Sequence, residues 1–318
     1  MKRFLAIVTV IAAIGTMAAC GTKSAEQPRN EDSFEITDGM FTYIGDDGSL
    51  RLRSVNSGVE KVILSDETFF EYHVNLRKGL VAYIADDADG RRAIIYHMNS
   101  KTKEVLEHPG LARDTDLTPD GKYLILETGT SAIGTVMIYD LSTKAWRRTF
   151  QRAFCYNLSP DGSRLALAIS QVVDPPLFIE DGSSASTVVM NFDFTAPDKI
   201  VFRGDSSYLA MPLMWIDNDE LIVAKYFLQG MPREYFLASL LHDSIEEIEE
   251  DALPLFGFPE DVIAGLYDIS KDQSKALYSV ANEDSGKSKI MLWDKKHGSK
   301  VEICIGSNPK WVADSNIQ

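Results

Sequence analysis

Short apolar runs carrying β-branched and aromatic residues recur along this chain, each closed by a polar turn, which is the pattern of β-strands. Residues 123–126 and 135–139 form one pair of such runs, and residues 165–169 and 187–191 form another. Each pair is introduced by nearly the same phrase, Leu117-Thr118-Pro119-Asp120-Gly121-Lys122 and Leu158-Ser159-Pro160-Asp161-Gly162-Ser163. In both, Asp supplies a side-chain acceptor for the turn and Gly takes its left-handed position. The two Asp-Gly steps lie 41 residues apart, the period of a four-stranded unit repeated around a ring.

With strands labelled A to D from the inside outward, much of the remaining chain falls into the same register. Residues 70–76 read as an A strand, Lys78-Gly79 as a degenerate turn, and 80–84, 93–97 and 103–106 as strands B, C and D. The A-turn-B phrase recurs in weaker form from Met214-Trp215-Ile216 through Asn218, and from Tyr267-Asp268-Ile269 through Asp272. At the front, residues 40–44, 50–55 and 61–64 supply strands B to D with no A strand before them; at the back, 309–314 supply an A strand with no B strand after it. The two orphans complete each other. The expectation is an all-β fold, a six-bladed β-propeller of four-stranded antiparallel blades, closed by N- and C-terminal strands that share one blade. Such closure leaves no exposed sheet edge across the ring.

Residues 1–19 read as a leader rather than as part of the fold, because Lys2-Arg3 precede an apolar stretch with a small-residue exit. Met17-Ala18-Ala19-Cys20-Gly21 resembles the bacterial lipobox, which implies a lipidated Cys20 and an extracytoplasmic protein held on the cell membrane, or on the outer membrane where one exists. Residues 20–33 are polar and aperiodic, a flexible tether, which leaves 34–318 for the propeller.

The Ser/Thr-Pro-Asp-Gly phrase followed by an apolar strand, as in residues 118–126 and 159–167, resembles the WD-like repeats of TolB-type propellers and of the propeller domains of prolyl-oligopeptidase relatives. The hydrolases among those relatives carry Ser-His-Asp machinery on a separate α/β domain. Six blades leave no room for one here, and Gly-x-Ser-x-Gly is absent.

Charge narrows the range of partners. The formal net charge is −15, and loss of Lys2 and Arg3 with the leader makes it −17, which argues against nucleic acid and against direct adsorption to anionic lipid. The five histidines form no His-x-His or His-Glu-x-x-His, and His73 and His97 fall within strand patterns as packed or half-exposed rings. Ala85-Asp86-Asp87-Ala88-Asp89-Gly90 lacks the first ligand and the closing Glu of a calcium loop and reads as a hairpin turn. The acidic run at 246–251 reads as a water-facing outer strand. Cys155 and Cys304 fall in different blades and are expected to be free, buried thiols. No cofactor or metal is expected, and no catalytic residue stands out.

Two connections exceed the period, at 171–182 and 251–261, and both carry apolar residues among prolines. They leave the same face of a propeller, so Phe178 on one and Leu255, Phe256 and Phe258 on the other become the expected partner-binding residues. The sequence therefore predicts a monomeric, non-catalytic binding or scaffolding module of the cell envelope, whose partner is an envelope protein or a cell-wall component. An enzyme of hydrolase or lyase type with its site in the central channel is the alternative.

Overall fold

The computed structural model describes residues 39–65, 67–87, 90–129, 134–170, 185–205, 207–227, 234–249, 266–270, 274–282 and 287–312. Cys20, Phe178, Leu255, Phe256 and Phe258 lie outside these residues, as do the leader and the tether.

The described residues form four four-stranded antiparallel sheets and one eight-stranded sheet, which consists of two antiparallel halves of four strands, making six groups in all. The first contains β1 (Met40–Ile44), β2 (Leu50–Ser54) and β3 (Glu60–Leu64), and the second β4 (Phe69–Asn75), β5 (Leu80–Asp87), β6 (Gly90–His97) and β7 (Thr102–Leu106). The third comprises β8 (Ala112–Leu117), β9 (Tyr123–Gly129), β10 (Gly134–Asp140) and β11 (Ala145–Gln151), and the fourth β12 (Ala153–Leu158), β13 (Arg164–Ser170), β14 (Ala185–Asn191) and β15 (Lys199–Phe202). The fifth comprises β16 (Tyr208–Trp215), β17 (Glu220–Phe227), β18 (Glu234–Ser239) and β19 (Ser244–Ile248), and the sixth β20 (Leu266–Ile269), β21 (Lys275–Asn282), β22 (Lys287–Asp294) and β23 (Ser299–Ile305). The last strand, β24 (Ser307–Trp311), completes the first group by pairing antiparallel with β1, Phe41 opposite Trp311 and Thr42 opposite Lys310. The predicted closure is therefore observed.

Burial explains the composition of the strands. In the middle strands nearly every side chain is covered, because each sheet is sandwiched between its neighbours. Leu124 and Leu126 pack with Leu80, Ile84 and Ile95 of the second group, while Tyr123 and Ile125 pack with Leu165, Leu167 and Met190 of the fourth. Near-continuous apolar runs such as 123–126 follow from this two-sided burial. Outer strands face water: β11 alternates between exposed and more covered positions, and β19 exposes Ile245, Glu246 and Glu247 in succession.

The repeated phrase has two physical jobs. Within a turn, the Thr118 hydroxyl donates to Asp120 (2.6 Å) and Asp120 accepts Lys122 N–H (2.9 Å); Ser159 and Asp161 repeat the arrangement, with Asp161 accepting Ser163 N–H at 2.9 Å. Between turns, each glycine nests against the preceding blade. A Cβ on Gly121 would lie 2.4 Å from Lys78 Cγ, and one on Gly162 would lie 2.3 Å from Pro119 Cδ. Both glycines have positive φ, +65° and +71°. Asn75 Nδ2 reaches the Thr118 and Pro119 carbonyls, both at 3.1 Å, and Asp161 N–H donates to Asn218 Oδ1 at 3.0 Å. The turns thus interlock from blade to blade.

The phrase that recurs from Met214 marks the end of the fifth inner strand: β16 runs from Tyr208 to Trp215, and an extra residue at Leu213 breaks its register.

Candidate functional site at the centre of the ring

The first strand of each later group and β24 line the centre, where they bond to one another. Trp215 Nε1 donates to Asn157 O (3.0 Å) and Tyr72 Oη to Asn308 O. Each of these strands carries one extra residue. The register slips between Phe69 and Glu71, Ala112 and Asp114, Phe154 and Tyr156, Pro212 and Met214, and Leu266 and Asp268, and two residues of β24 oppose Tyr43. A bulge bends the strand and re-aims the side chains that follow it. Those that follow are Glu71, Asp114, Tyr156, Met214 and Asp268. Three of the carboxylates accept the N–H of the next residue: Glu71 from Tyr72 (3.1 Å), Asp114 from Thr115 (2.8 Å) and Asp268 from Ile269 (2.8 Å).

Ion pairs then tie blade to blade. Lys310 of β24 binds the Glu71 carboxylate and donates to Tyr72 O at 2.8 Å. His73 Nδ1 pairs with Asp116 of the third blade, while Arg113 pairs with Glu127 at 3.3 Å inside that blade. Asp268 Oδ2 accepts Trp311 N–H at 2.8 Å. The side chains of Glu71, His73, Asp116 and Lys310 keep 25%, 31%, 24% and 29% of their accessible area, so water still reaches them.

The electrostatics are uneven. Burial, reinforced by the nearby Glu71 and Asp116 carboxylates, pushes Asp114 up to about 6 against the pull of Lys310. Burial also raises Asp268 to about 6, although it accepts two amides. For Asp116 burial acts upward too, yet His73, Lys310 and the Leu117 N–H outweigh it and hold the carboxyl below its usual range. Burial alone would lower Lys310, but Glu71, Asp114 and Asp116 hold its ammonium above the ordinary range. Tyr156, enclosed and facing Asp114 and Asp116, is raised well above the tyrosine range.

These shifts predict a pH profile. For Asp114 and Asp268 the folded pKa lies above the unfolded one, so the folded chain holds protons that the unfolded chain has lost between about pH 4 and about pH 6. Stability should fall as pH rises through that window and level off above it. Asp116, shifted the other way, should remove stability below about pH 4. Asp114→Asn keeps the acceptor for Thr115 N–H, and should raise stability above pH 7 by an amount on the order of 1 kcal/mol and flatten the slope. Urea midpoints across the pH range check both statements; an unchanged slope in the variant would remove Asp114 from the account.

The thiols depart from expectation in one respect. Cys155 and Cys304 are free and lie in different blades, but Cys155 is exposed and Cys304 half-exposed, where both were expected to be buried. Cys155 is the extra residue of β12 and sits at φ 55°, so the bulge turns it out of the packed face. Partial desolvation beside the centre, with the Glu127 and Asp114 carboxylates, pushes its thiol above the ordinary range although the residue is exposed, which disfavours the reactive thiolate. Among the described residues, no three His, Cys, Asp or Glu side chains converge as a metal site.

Sheets and interlocked turns together define a β-propeller, as the Pro-Asp-Gly phrase implied, and ion pairs cross its centre. Among solved structures, the chain is similar to dipeptidyl peptidase 4 of Porphyromonas gingivalis, at 12% identity and a TM-score of 0.52, over 83% of this chain and 51% of that one. The chain therefore spans about half the length of that peptidase, and the likeness concerns fold. A TolB-type protein from Agrobacterium tumefaciens aligns at 12% identity and a TM-score of 0.46, over 82% and 90% of the two chains. The β-propeller domain of the Trilobed protease from Pyrococcus furiosus aligns at 10% identity and 0.45, over 81% and 75%. No protein-family model and no curated protein matches the chain.

Proposed function

We propose that this chain is an exported lipoprotein whose propeller binds another macromolecule of the cell envelope without catalysis. The observation that carries the non-catalytic part is the pairing at the centre: Lys310 with Glu71 and His73 with Asp116 are occupied in joining blades, and Arg113 is occupied with Glu127 within the third blade. Export and anchoring rest on the leader that ends at Cys20, and the acidic balance favours a protein or cell-wall partner over nucleic acid. The partner surface is placed on the long connections with Phe178, Leu255, Phe256 and Phe258.

Crosslinking in native membranes, followed by identification of the attached species, tests the reading. Cys20→Ser should release the protein from the membrane. Changing Phe178 and Phe256 together to Ser should weaken partner capture by about 1 kcal/mol or more with the melting temperature retained. If the double variant melts early yet keeps its partner, those side chains pack on the ring and the binding surface lies elsewhere.

A second reading is favoured by Asp114 alone. A carboxyl titrating at about 6 beside Tyr156 suits a general acid or base of a hydrolase or lyase at the centre. Loss of turnover in a correctly folded Asp114→Asn variant, for any substrate found, would favour it over the binding role.

A further inference from the structure

The net charge of −15 is not spread evenly over the ring. In each blade the amide that follows the third strand bonds the residue just ahead of the second, as Val55 N–H does Gly39 O, Met98 N–H Gly79 O and Lys295 N–H Ser274 O, each at 2.8 Å. These turns therefore share one face, and the connections from β13 to β14 and from β19 to β20, which contain the two long insertions, start from the other. On the shared face, basic residues gather around the point where the chain leads back toward Cys20. Gly39 and Val312 mark that point, with Val312 N–H bonding Met40 O at 3.0 Å. On one side the second blade exposes Arg77, Lys78 and Lys101; on the other the sixth blade exposes Lys295, Lys296 and Lys300. Among the described residues, the turns of these two blades and of the first hold no carboxylate, and Asp294 at the end of β22 is bound to His297 at 2.9 Å. Across the ring the same face is acidic. The turns of the fourth and fifth blades carry Asp161, Asp193, Asp217, Asp219 and Asp243, and the nearby Arg164 and Lys199 pair with Asp219 (2.7 Å) and Asp243 (2.6 Å).

We propose that the basic sector around the chain exit is a docking surface for anionic lipid headgroups, which seats the ring on the bilayer with its long insertions facing away. Charge acts on a lipid surface only within about a Debye length, roughly 8 Å, so the cations at the exit are felt while the carboxylates two sheet spacings of about 10 Å further on are screened. The proposal rests on the lipid-anchored reading for the bilayer being close: a flexible chain from Cys20 to Gly39 spans about 25 Å on average.

Amine acetylation of the purified protein, read lysine by lysine by mass spectrometry, tests the surface on vesicles of phosphatidylcholine alone or mixed in equal parts with phosphatidylglycerol. On the anionic vesicles Lys78, Lys101, Lys295 and Lys296 should react about threefold more slowly or less, and high salt should restore their rates. Lys287 and Lys289, toward the opposite end of β22, should react alike on both. Lys295→Glu combined with Lys296→Glu keeps the main-chain bond to Ser274 and should abolish the slowing at Lys78 and Lys101, with an unchanged melting temperature as the control for folding. Sedimentation with the neutral vesicles reports the anchor separately: protein that stays in solution there yet is shielded on the anionic vesicles lacks the lipid and keeps the docking surface. Equal acetylation on both vesicles, shielding that survives salt or the double variant, or shielding that extends to Lys287 and Lys289 would overturn the proposal.

Discussion

Removing residues 309–318 should cost the ring several kcal/mol, the largest effect expected of any short deletion here. The deletion strips β1 of its partner, exposing the edge that Phe41, Thr42 and Ile44 now share with β24. It uncovers fully buried Phe41, whose ring meets Trp311 edge-on at 6.4 Å, and takes away the Val312 N–H bond to Met40 O. It also removes Lys310, leaving Glu71, Asp114 and Asp116 without their shared cation. The loss of that charge adds to the cost, though by less than the roughly 3–5 kcal/mol of a fully buried pair, because water reaches both Lys310 and Glu71. With the lost apolar burial, this takes a large share of the margin of about 5–15 kcal/mol on which a domain stands. Urea unfolding at neutral pH measures the effect. A deletion variant with an unchanged midpoint would mean that β24 does not close the ring.

Gly162→Ala should be among the costliest single methyl groups in the repeated turns. Two costs coincide at this position. The residue holds φ +71°, where an L side chain is strained by roughly 1 kcal/mol, and the new Cβ would meet Pro119 Cδ at 2.3 Å. A proline ring cannot swing aside as a lysine can, so the turns of the third and fourth blades must separate, and overpacking of this kind costs about 1–3 kcal/mol. The total is on the order of 2–4 kcal/mol. Gly121→Ala is the natural control, because the Lys78 Cγ it meets at 2.4 Å can turn aside by a change of rotamer although the Cβ at 3.0 Å cannot, so its cost should be smaller but not negligible. Equal melting temperatures for the two variants would remove Pro119 from the explanation.

The Pro-Asp-Gly phrase revealed the fold because its residues act locally: the hydroxyl, the carboxylate and the glycine each satisfy a turn whose geometry depends on nothing remote. Closure by β24 was equally legible, since an A strand lacking a B strand and a B strand lacking an A strand can be matched without coordinates. The centre of the ring was not legible. Glu71, Asp114, Asp116, Asp268 and Lys310 come from four inner strands, and only the ring brings them together. A signal existed in the charged residues carried by inner strands, as in Arg113-Asp114-Thr115-Asp116-Leu117. What concealed it was the bulge, which breaks the two-residue period just where those carboxylates sit. The same bulge reversed the expectation for Cys155. Phe178, Leu255, Phe256 and Phe258 were chosen by excess loop length, and they remain a matter for the crosslinking experiment.

One seam of the ring differs from the rest. The fourth and fifth blades form a single eight-stranded sheet through a parallel backbone bridge, Ala185 opposite Leu209. Gly204 permits the approach, since a Cβ there would lie 2.0 Å from Ala185 O. Blades that meet only through side chains can slide and tilt against one another, whereas backbone hydrogen bonding across a seam resists shear. The two fused blades therefore act as one stiff plate, and any mechanical compliance of the ring is displaced to its remaining seams, including the one that β24 fastens.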